Sequence, residues 1–168
     1  IRDSFFAGVP KIKKKDKDKM EIYLLFIQHI MFSLSDKGKA AIVLPTGFIT
    51  AQKGIEYAIR EELIEKKMLS GVITMPSNIF ASTNTSVSIL FISKEENEKI
   101  VLIDGSSLGY TDKDGKRERT FLTSSEEESV INAFTKKQSV EDFAVIVTPE
   151  EVKEKSFSFS PSQYFEIK

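Results

Sequence analysis

Met75-Pro76-Ser77-Asn78-Ile79-Phe80-Ala81-Ser82-Thr83-Asn84-Thr85-Ser86-Val87-Ser88-Ile89-Leu90-Phe91 is the stretch on which the fold turns. It runs from the end of an apolar segment, through a polar loop, into a second apolar segment. The first, Leu69 to Met75, is a short continuous apolar run of the kind that forms a buried strand. Ser86 to Ile92 has the same character. Nothing between them has a helical period, so the two strands are expected to be antiparallel neighbours or near neighbours. Phe80 stands alone in the polar loop at the mouth of these strands. Its ring must either plug a local hole or touch a ligand.

Toward the N-terminus, Lys53 to Lys67 reads as a helix. Ile55, Ile59 and Leu63 lie on one face beside Ala58, with Glu56, Arg60, Glu61, Glu62, Glu65 and Lys66 on the wet side. Before it, Lys39 to Leu44 is a short apolar run expected as a strand covered on both faces, closed by Pro45 and Gly47. Met20 to Leu34 has apolar residues at three- and four-residue spacing, broadened by Ile22, Leu25 and Phe26. This predicts a helix buried on more than one side, ended by Ser35-Asp36-Lys37-Gly38 with Gly38 as a left-handed cap. Residues 1–19 have no clear period and read as a loop or linker, followed by a single partial domain over 20–168. The loop carries Lys11, Lys13, Lys14, Lys15, Lys17 and Lys19, diluted by Asp16 and Asp18. A solvated loop and a loop resting on phosphates are the two readings of that cluster.

Toward the C-terminus, Ile100 to Ile103 is a further strand, stopped by Asp104-Gly105-Ser106-Ser107. Ser107 to Leu122 is polar, with a turn at Asp112-Lys113-Asp114-Gly115. A calcium loop is rejected there because the glycine spacing is wrong and no bidentate acid closes the loop. Ser125 to Lys136 reads as a surface helix with a Ser125/Glu128 capping box and an apolar stripe of Val130, Ile131 and Phe134. Phe143 to Val147 reads as a last short strand, and Glu150 to Lys155 as a helical turn at most. Phe157, Phe159, Tyr164 and Phe165 should tie down the tail.

This order of elements is half of an open α/β sheet. No G-x-G-x-x-G phosphate loop occurs, so the expected architecture is the second half of a nucleotide-type domain without its cofactor half.

Composition excludes several functions. The 168 residues are 40% apolar and 29% charged, enough for one globular domain with a core. No apolar run approaches the roughly 18 residues a membrane helix needs. There is no cysteine, which removes disulfides, a thiol nucleophile and cysteine–zinc sites, and fits a cytosolic bacterial-type protein. The single histidine, His29, cannot build a multi-histidine metal site and reads as a helix residue at the edge of the core. A net charge of −1 argues against a dedicated electrostatic DNA-binding module, so any nucleic-acid contact must be local or shared.

From about Glu21 onward the chain resembles the amino-methylating DNA methyltransferases, and among them the modification subunits of type I restriction-modification systems. The resemblance is carried by Glu21–His29, Gly38–Gly47, Ile59–Leu63, Gly71–Pro76, Phe80, Thr83–Thr85, Ile89–Lys94, Val101–Asp104, Phe143–Val147 and Ser160–Tyr164, in that order. Each piece is weak, while the ordered series is specific. It implies the second half of a Rossmann-like S-adenosylmethionine-dependent methyltransferase sheet, a mixed sheet with an antiparallel strand and helices on both faces. It implies an S-adenosylmethionine-dependent enzyme that methylates the exocyclic amino group of adenine in DNA after flipping the base from the duplex.

By motif position Phe80 is the ring that stacks on the flipped base, a contact worth roughly 1–3 kcal/mol per base. Phe26 matches a position that lines the cofactor's adenine, with plain core as its other reading. His29 and Arg60 match family preferences and are assigned structural roles. Lys11, Lys13, Lys14 and Lys15 fall where the family's chain passes near bound DNA.

The resemblance also implies an Asn-Pro-Pro-aromatic motif before Ile1 and a glycine-rich cofactor motif further upstream, neither of which is in these residues. The chain alone is therefore expected to be inactive and to hold no cofactor, as a truncated piece or a remnant gene. Expected partners are DNA and the specificity and restriction subunits of such a system, in the cytoplasm. A homo-oligomer formed through the sheet edge left open is a further expectation. Two other functions stay open: a non-catalytic interaction domain, and a methyltransferase half acting on RNA or protein.

Overall fold

A computed structural model describes residues 4–15, 21–80 and 85–165. Lys17, Lys19 and Met20 lie outside the described residues, as do Thr83 and Asn84. The five-stranded sheet has the order β1-β3-β2-β4-β7, built from β1 (Lys39–Pro45), β2 (Leu69–Thr74), β3 (Val87–Ser93), β4 (Ile100–Asp104) and β7 (Ala144–Val147). β5 (Tyr110–Asp114) and β6 (Arg117–Phe121) form a separate two-stranded ribbon.

The expected antiparallel pair is present. β2 and β3 run antiparallel from Leu69 opposite Ile92 to Thr74 opposite Ser88, with a bulge between Leu69 and Gly71. β3 is also antiparallel to β1, while β2 and β4 are parallel and β7 is antiparallel to β4. The sheet is mixed, and β3 sits between two strands whose direction it opposes.

Helices cover both faces. On one lie α1 (Tyr23–Ser33), α2 (Gly54–Glu65) and α4 (Pro149–Glu154). Their core includes Leu24, Ile27, Ile59, Leu63, Val72, Leu90, Leu102, Val152 and Phe159. On the other face lies α3 (Ser124–Lys136), whose Ala133, Val130 and Phe134 pack on Ile73, Val101 and Ile103. Gly71 is required at that contact: a Cβ there would sit 2.7 Å from the Phe134 ring and 2.8 Å from the Val101 carbonyl oxygen.

Several expectations are corrected. β1 is covered on one face only, because Ile42 and Leu44 enter the core while Ala41 and Val43 face outward, Val43 being 49% exposed. A continuous apolar run here marks an alternating strand with one open face. α1 is likewise open on one side, with Ile22, Phe26 and Phe32 exposed. Gly38 is not a left-handed cap: α1 ends at Leu34 in extended conformation, and Gly38 has no positive φ. Its small size matters instead, since a Cβ would meet the Leu34 side chain at 2.9 Å.

The α3 capping box is Thr123 with Glu126, not Ser125 with Glu128. Both pairs have the S/T-x-x-E spacing, and the helix begins at Ser124. Ile131 is outside the packed stripe and exposed. α4 is a full short helix with a Thr148/Glu151 capping box and Pro149 in its first turn. The polar segment expected as an irregular stretch with one turn is the β5–β6 hairpin.

Arg60 is the largest correction, because it is fully buried rather than on the wet side of α2. Its Nε donates to the Phe157 carbonyl at 2.7 Å and its Nη1 to the Phe48 carbonyl at 2.5 Å. Nη2 donates to the Ala51 carbonyl. The rings of Phe48, Tyr57 and Phe159 surround the guanidinium, with centroids 5.7–5.9 Å away. Burial, opposed by nearby Tyr57, Glu56 and Tyr164, pushes the Arg60 pKa down to about 10, so it keeps its charge at neutral pH. The tail is tied down as its aromatics imply: Phe159 is buried, and Tyr164 donates its hydroxyl to the Ser158 carbonyl at 2.6 Å.

Candidate functional site

The carboxyl ends of β1, β2 and β4 meet at one end of the sheet. Pro45 closes β1 opposite Val87, and Met75 follows β2 and donates its N–H to the Val87 carbonyl. Asp104 closes β4 opposite Thr74. In an open α/β sheet this is the end where ligands bind. A cavity of about 350 Å³ opens there, its lining including the hydroxyl-bearing Thr46, Thr50, Thr74, Ser77 and Ser106, the carboxylate of Asp104, and the apolar Ile49, Met75 and Pro161.

The hydroxyls are organised around one carboxylate. Ser106 donates both its N–H, at 3.0 Å, and its hydroxyl, at 2.6 Å, to Asp104 Oδ1, and Thr74 donates at 3.2 Å. Burial alone would raise this carboxyl, and the hydrogen bonds from Ser106 and Thr74 outweigh it, holding Asp104 below its ordinary pKa. Across the mouth, Thr46 and Ser88 share a hydroxyl hydrogen bond of 3.0 Å.

Phe80 stands beyond this cavity, three residues past Ser77, and is 42% exposed. The backbone leading to it is fixed. Asn78 is in the left-handed region at φ 56°, which asparagine tolerates better than branched residues. The Thr120 N–H donates to the Asn78 carbonyl at 2.9 Å, and Arg119 Nε donates to the Ile79 carbonyl at 3.0 Å.

The other sequence candidates are not gathered here. Phe26 lies on the open side of α1 and is 59% exposed. Lys11, Lys13, Lys14 and Lys15 are exposed on the N-terminal segment, and neither they nor Phe26 line the cavity. That segment is held to α1 by Gln28, which is fully buried. Its Oε1 accepts from the Ala7 N–H at 2.9 Å and its Nε2 donates to the Gly8 carbonyl at 3.0 Å. His29 is exposed rather than at the core edge, 3.5 Å from the Ser33 hydroxyl.

Among the described residues no cluster of three or more His, Asp, Glu or Cys could hold a metal, and no helix is long and apolar enough to cross a membrane. The cavity has hydroxyls and one hydrogen-bonded carboxylate but no histidine or lysine to act as their base. Such a surface can bind and orient a polar ligand.

Sequence reading missed Arg119, Thr120 and the Asp104 cluster. The signal was available for the first two: Gly115 suits the first position of a two-residue hairpin loop, and Gly115-Lys116 is that loop, with Asp114 paired to Arg117 across it.

A mixed sheet in which β3 opposes both of its neighbours, with helices on both faces and a polar crevice at the strand ends, is a Rossmann-like half-sheet. Solved structures agree on the fold. The chain superposes on the methyltransferase subunit of a type I restriction-modification system from Streptococcus thermophilus with a TM-score of 0.77 at 23% identity, covering 96% of this chain and 36% of that one. It superposes on a modification subunit of a putative type I restriction enzyme from Vibrio vulnificus with a TM-score of 0.60 at 24% identity, covering 88% and 32%.

Residues 2–168 match the N-6 DNA methylase family, and the chain belongs to it. It is 31% identical over 143 residues to the type I restriction enzyme MpnII methylase subunit of Mycoplasma pneumoniae, covering 84% of this chain and 25% of that protein. It is 26% identical over 144 residues to the HindI methylase subunit of Haemophilus influenzae, covering 83% and 32%. The chain thus spans about a quarter to a third of the length of these relatives.

Proposed function

We propose that the chain supplies the target-base wall of a site-specific DNA adenine-N6 methyltransferase of a type I restriction-modification system. It would work with a cofactor-binding half that lies outside these 168 residues. Family membership supports the reaction class, and the names of its relatives support the type I system. The observation that carries the site is the exposed Phe80 ring on a polar loop at the carboxyl end of the sheet.

In this reading the adenine leaves the duplex and its face rests on Phe80, which replaces part of the stacking lost on extrusion. The hydroxyl-lined cavity beside the loop offers hydrogen bonds to the sugar and phosphate of the extruded nucleotide. S-adenosylmethionine, held mainly by the other half, would supply the methyl group, and the exposed Phe26 of α1 would border its adenine. The exposed Lys11, Lys13, Lys14 and Lys15 contact DNA phosphates. DNA and the specificity and restriction subunits are the partners, and the site of action is the cytoplasm.

In the intact methylase, Phe80→Ala should leave S-adenosylmethionine binding unchanged. It should weaken target binding by about 1–3 kcal/mol and lower the fluorescence rise of a 2-aminopurine placed at the target position. Normal turnover with an unchanged 2-aminopurine signal would remove Phe80 from the site. Labelling of RNA but not of DNA adenine by the intact protein would overturn the substrate.

A further inference from the structure

The β5–β6 hairpin contributes little to either core. Among its described side chains only Thr120 is buried. A two-stranded ribbon is marginal by itself, so something else must order it. Both of its ends are tied to the first turn of α3 through one carboxylate. Glu126 Oε1 accepts the N–H of Gly109, just before β5, at 2.8 Å. Glu126 Oε2 accepts the N–H and hydroxyl of Thr123, just after β6, at 2.7 and 2.9 Å.

Gly109 has φ 88°, and a Cβ there would lie 2.7 Å from Thr120 Cγ2. Only glycine fits the turn into the ribbon at that point. The Tyr110 and Phe121 rings lie 6.1 Å apart across the first ladder pair, and the Arg119 guanidinium lies over Phe121 at 5.1 Å.

So anchored, β6 meets the chain immediately before Phe80. Two consecutive carbonyls, those of Asn78 and Ile79, are held by the Thr120 N–H and Arg119 Nε. Once both carbonyls are fixed, the peptide plane entering Phe80 is fixed too. We propose that the β5–β6 hairpin is a brace that presents the Phe80 ring, with Arg119 as its positioning residue and the Glu126 carboxylate as its anchor on α3. The proposal rests on Phe80 being the base-stacking ring. It gives the hairpin a purpose that its scant burial leaves otherwise unexplained. Arg119 acts through the backbone of Ile79 and needs no contact with the base.

The test uses the intact methylase carrying Arg119→Ala, Arg119→Lys, Phe80→Ala, and Arg119→Ala combined with Phe80→Ala. Hydrogen exchange read by mass spectrometry should quicken in the peptide containing Thr120 when Arg119 is replaced by alanine, with the thermal midpoint little changed. Arg119→Ala should lower kcat/KM for DNA roughly tenfold, because displacing a stacking ring by about an ångström is costly. The KM for S-adenosylmethionine should not move, the 2-aminopurine signal should fall, and Arg119→Lys should recover part of the loss. In the Phe80→Ala background, Arg119→Ala should cost nothing more.

Equal losses in both backgrounds would mean that Arg119 acts independently of Phe80, and would overturn the brace. So would a harmless Arg119→Ala beside a damaging Phe80→Ala. A harmless Phe80→Ala would instead overturn the stacking reading, and the brace's role in presenting the ring would fall with it.

Discussion

Asp104 shows how a single residue organises the end of the sheet. Its carboxylate accepts three hydrogen bonds to one oxygen, from Thr74 and from both donors of Ser106. Because its folded pKa is depressed, it contributes stability at pH above its unfolded value, and that contribution is lost as pH falls through the folded value. Protonation therefore matters below pH of about 4. Asp104→Asn should lower the thermal midpoint at pH 7, and the difference from wild type should shrink as the pH approaches 3. A difference that stays constant over that range would show that the charge is irrelevant. Phe80 stands at the same scale and was legible from sequence, because a lone ring in a run of small polar residues has little to pack against. Its exposure of 42% is a property of the tertiary structure.

At the scale of the element, α2 was legible as a helix and misjudged in orientation. Ile59 and Leu63 face the core as their spacing implies, but Arg60 is buried beside them. The cause lies outside the helix. The Thr46–Ile49 3-10 turn, with Ala51 just beyond it, and the tail near Phe157 bring three carbonyls to the guanidinium, whose planar fork can serve them together. Arg60→Met should leave those carbonyls without donors and cost on the order of 3 kcal/mol or more, measured by urea unfolding. Arg60→Lys should fall between, because one ammonium cannot span three acceptors. An unchanged urea midpoint for the methionine variant would refute this role. The hairpin was missed for the converse reason. Its residues are polar, its strands are mostly solvent-exposed, and an alternating apolar pattern has no cause to appear where there is no core to face.

For the whole molecule, the sheet ends at β1 on one side, and β1 pairs only with β3 among the described residues. Its outward face shows Ala41 and Val43, and α1 adds Ile22, Phe26 and Phe32 to the exposed apolar surface. An unpaired edge beside apolar surface is prone to pair with another chain. The isolated 168-residue chain should therefore self-associate with rising concentration in sedimentation velocity. Val43→Lys, which places a charge beside the open edge, should reduce that association. A monomer at every concentration, with or without the substitution, would show that the edge does not pair.

The sequence by itself determined the elements of the main sheet, α1 to α3 and their order, and that β2 and β3 reverse across the Phe80 loop. Those properties follow from local chemistry, from the period of apolar residues and the lack of a helix between two short strands. It also carried the resemblance to the family that the chain proves to belong to. Only the tertiary structure decided which faces are covered, that Arg60 lies inside, and that a hairpin remote in sequence grips the carbonyls before Phe80. Burial and hydrogen-bond partners depend on what arrives from elsewhere in the chain, and no local pattern records that. Phe80 stands out by its own neighbours, whereas the carbonyl of Ile79 just before it is bound by a residue 40 positions away.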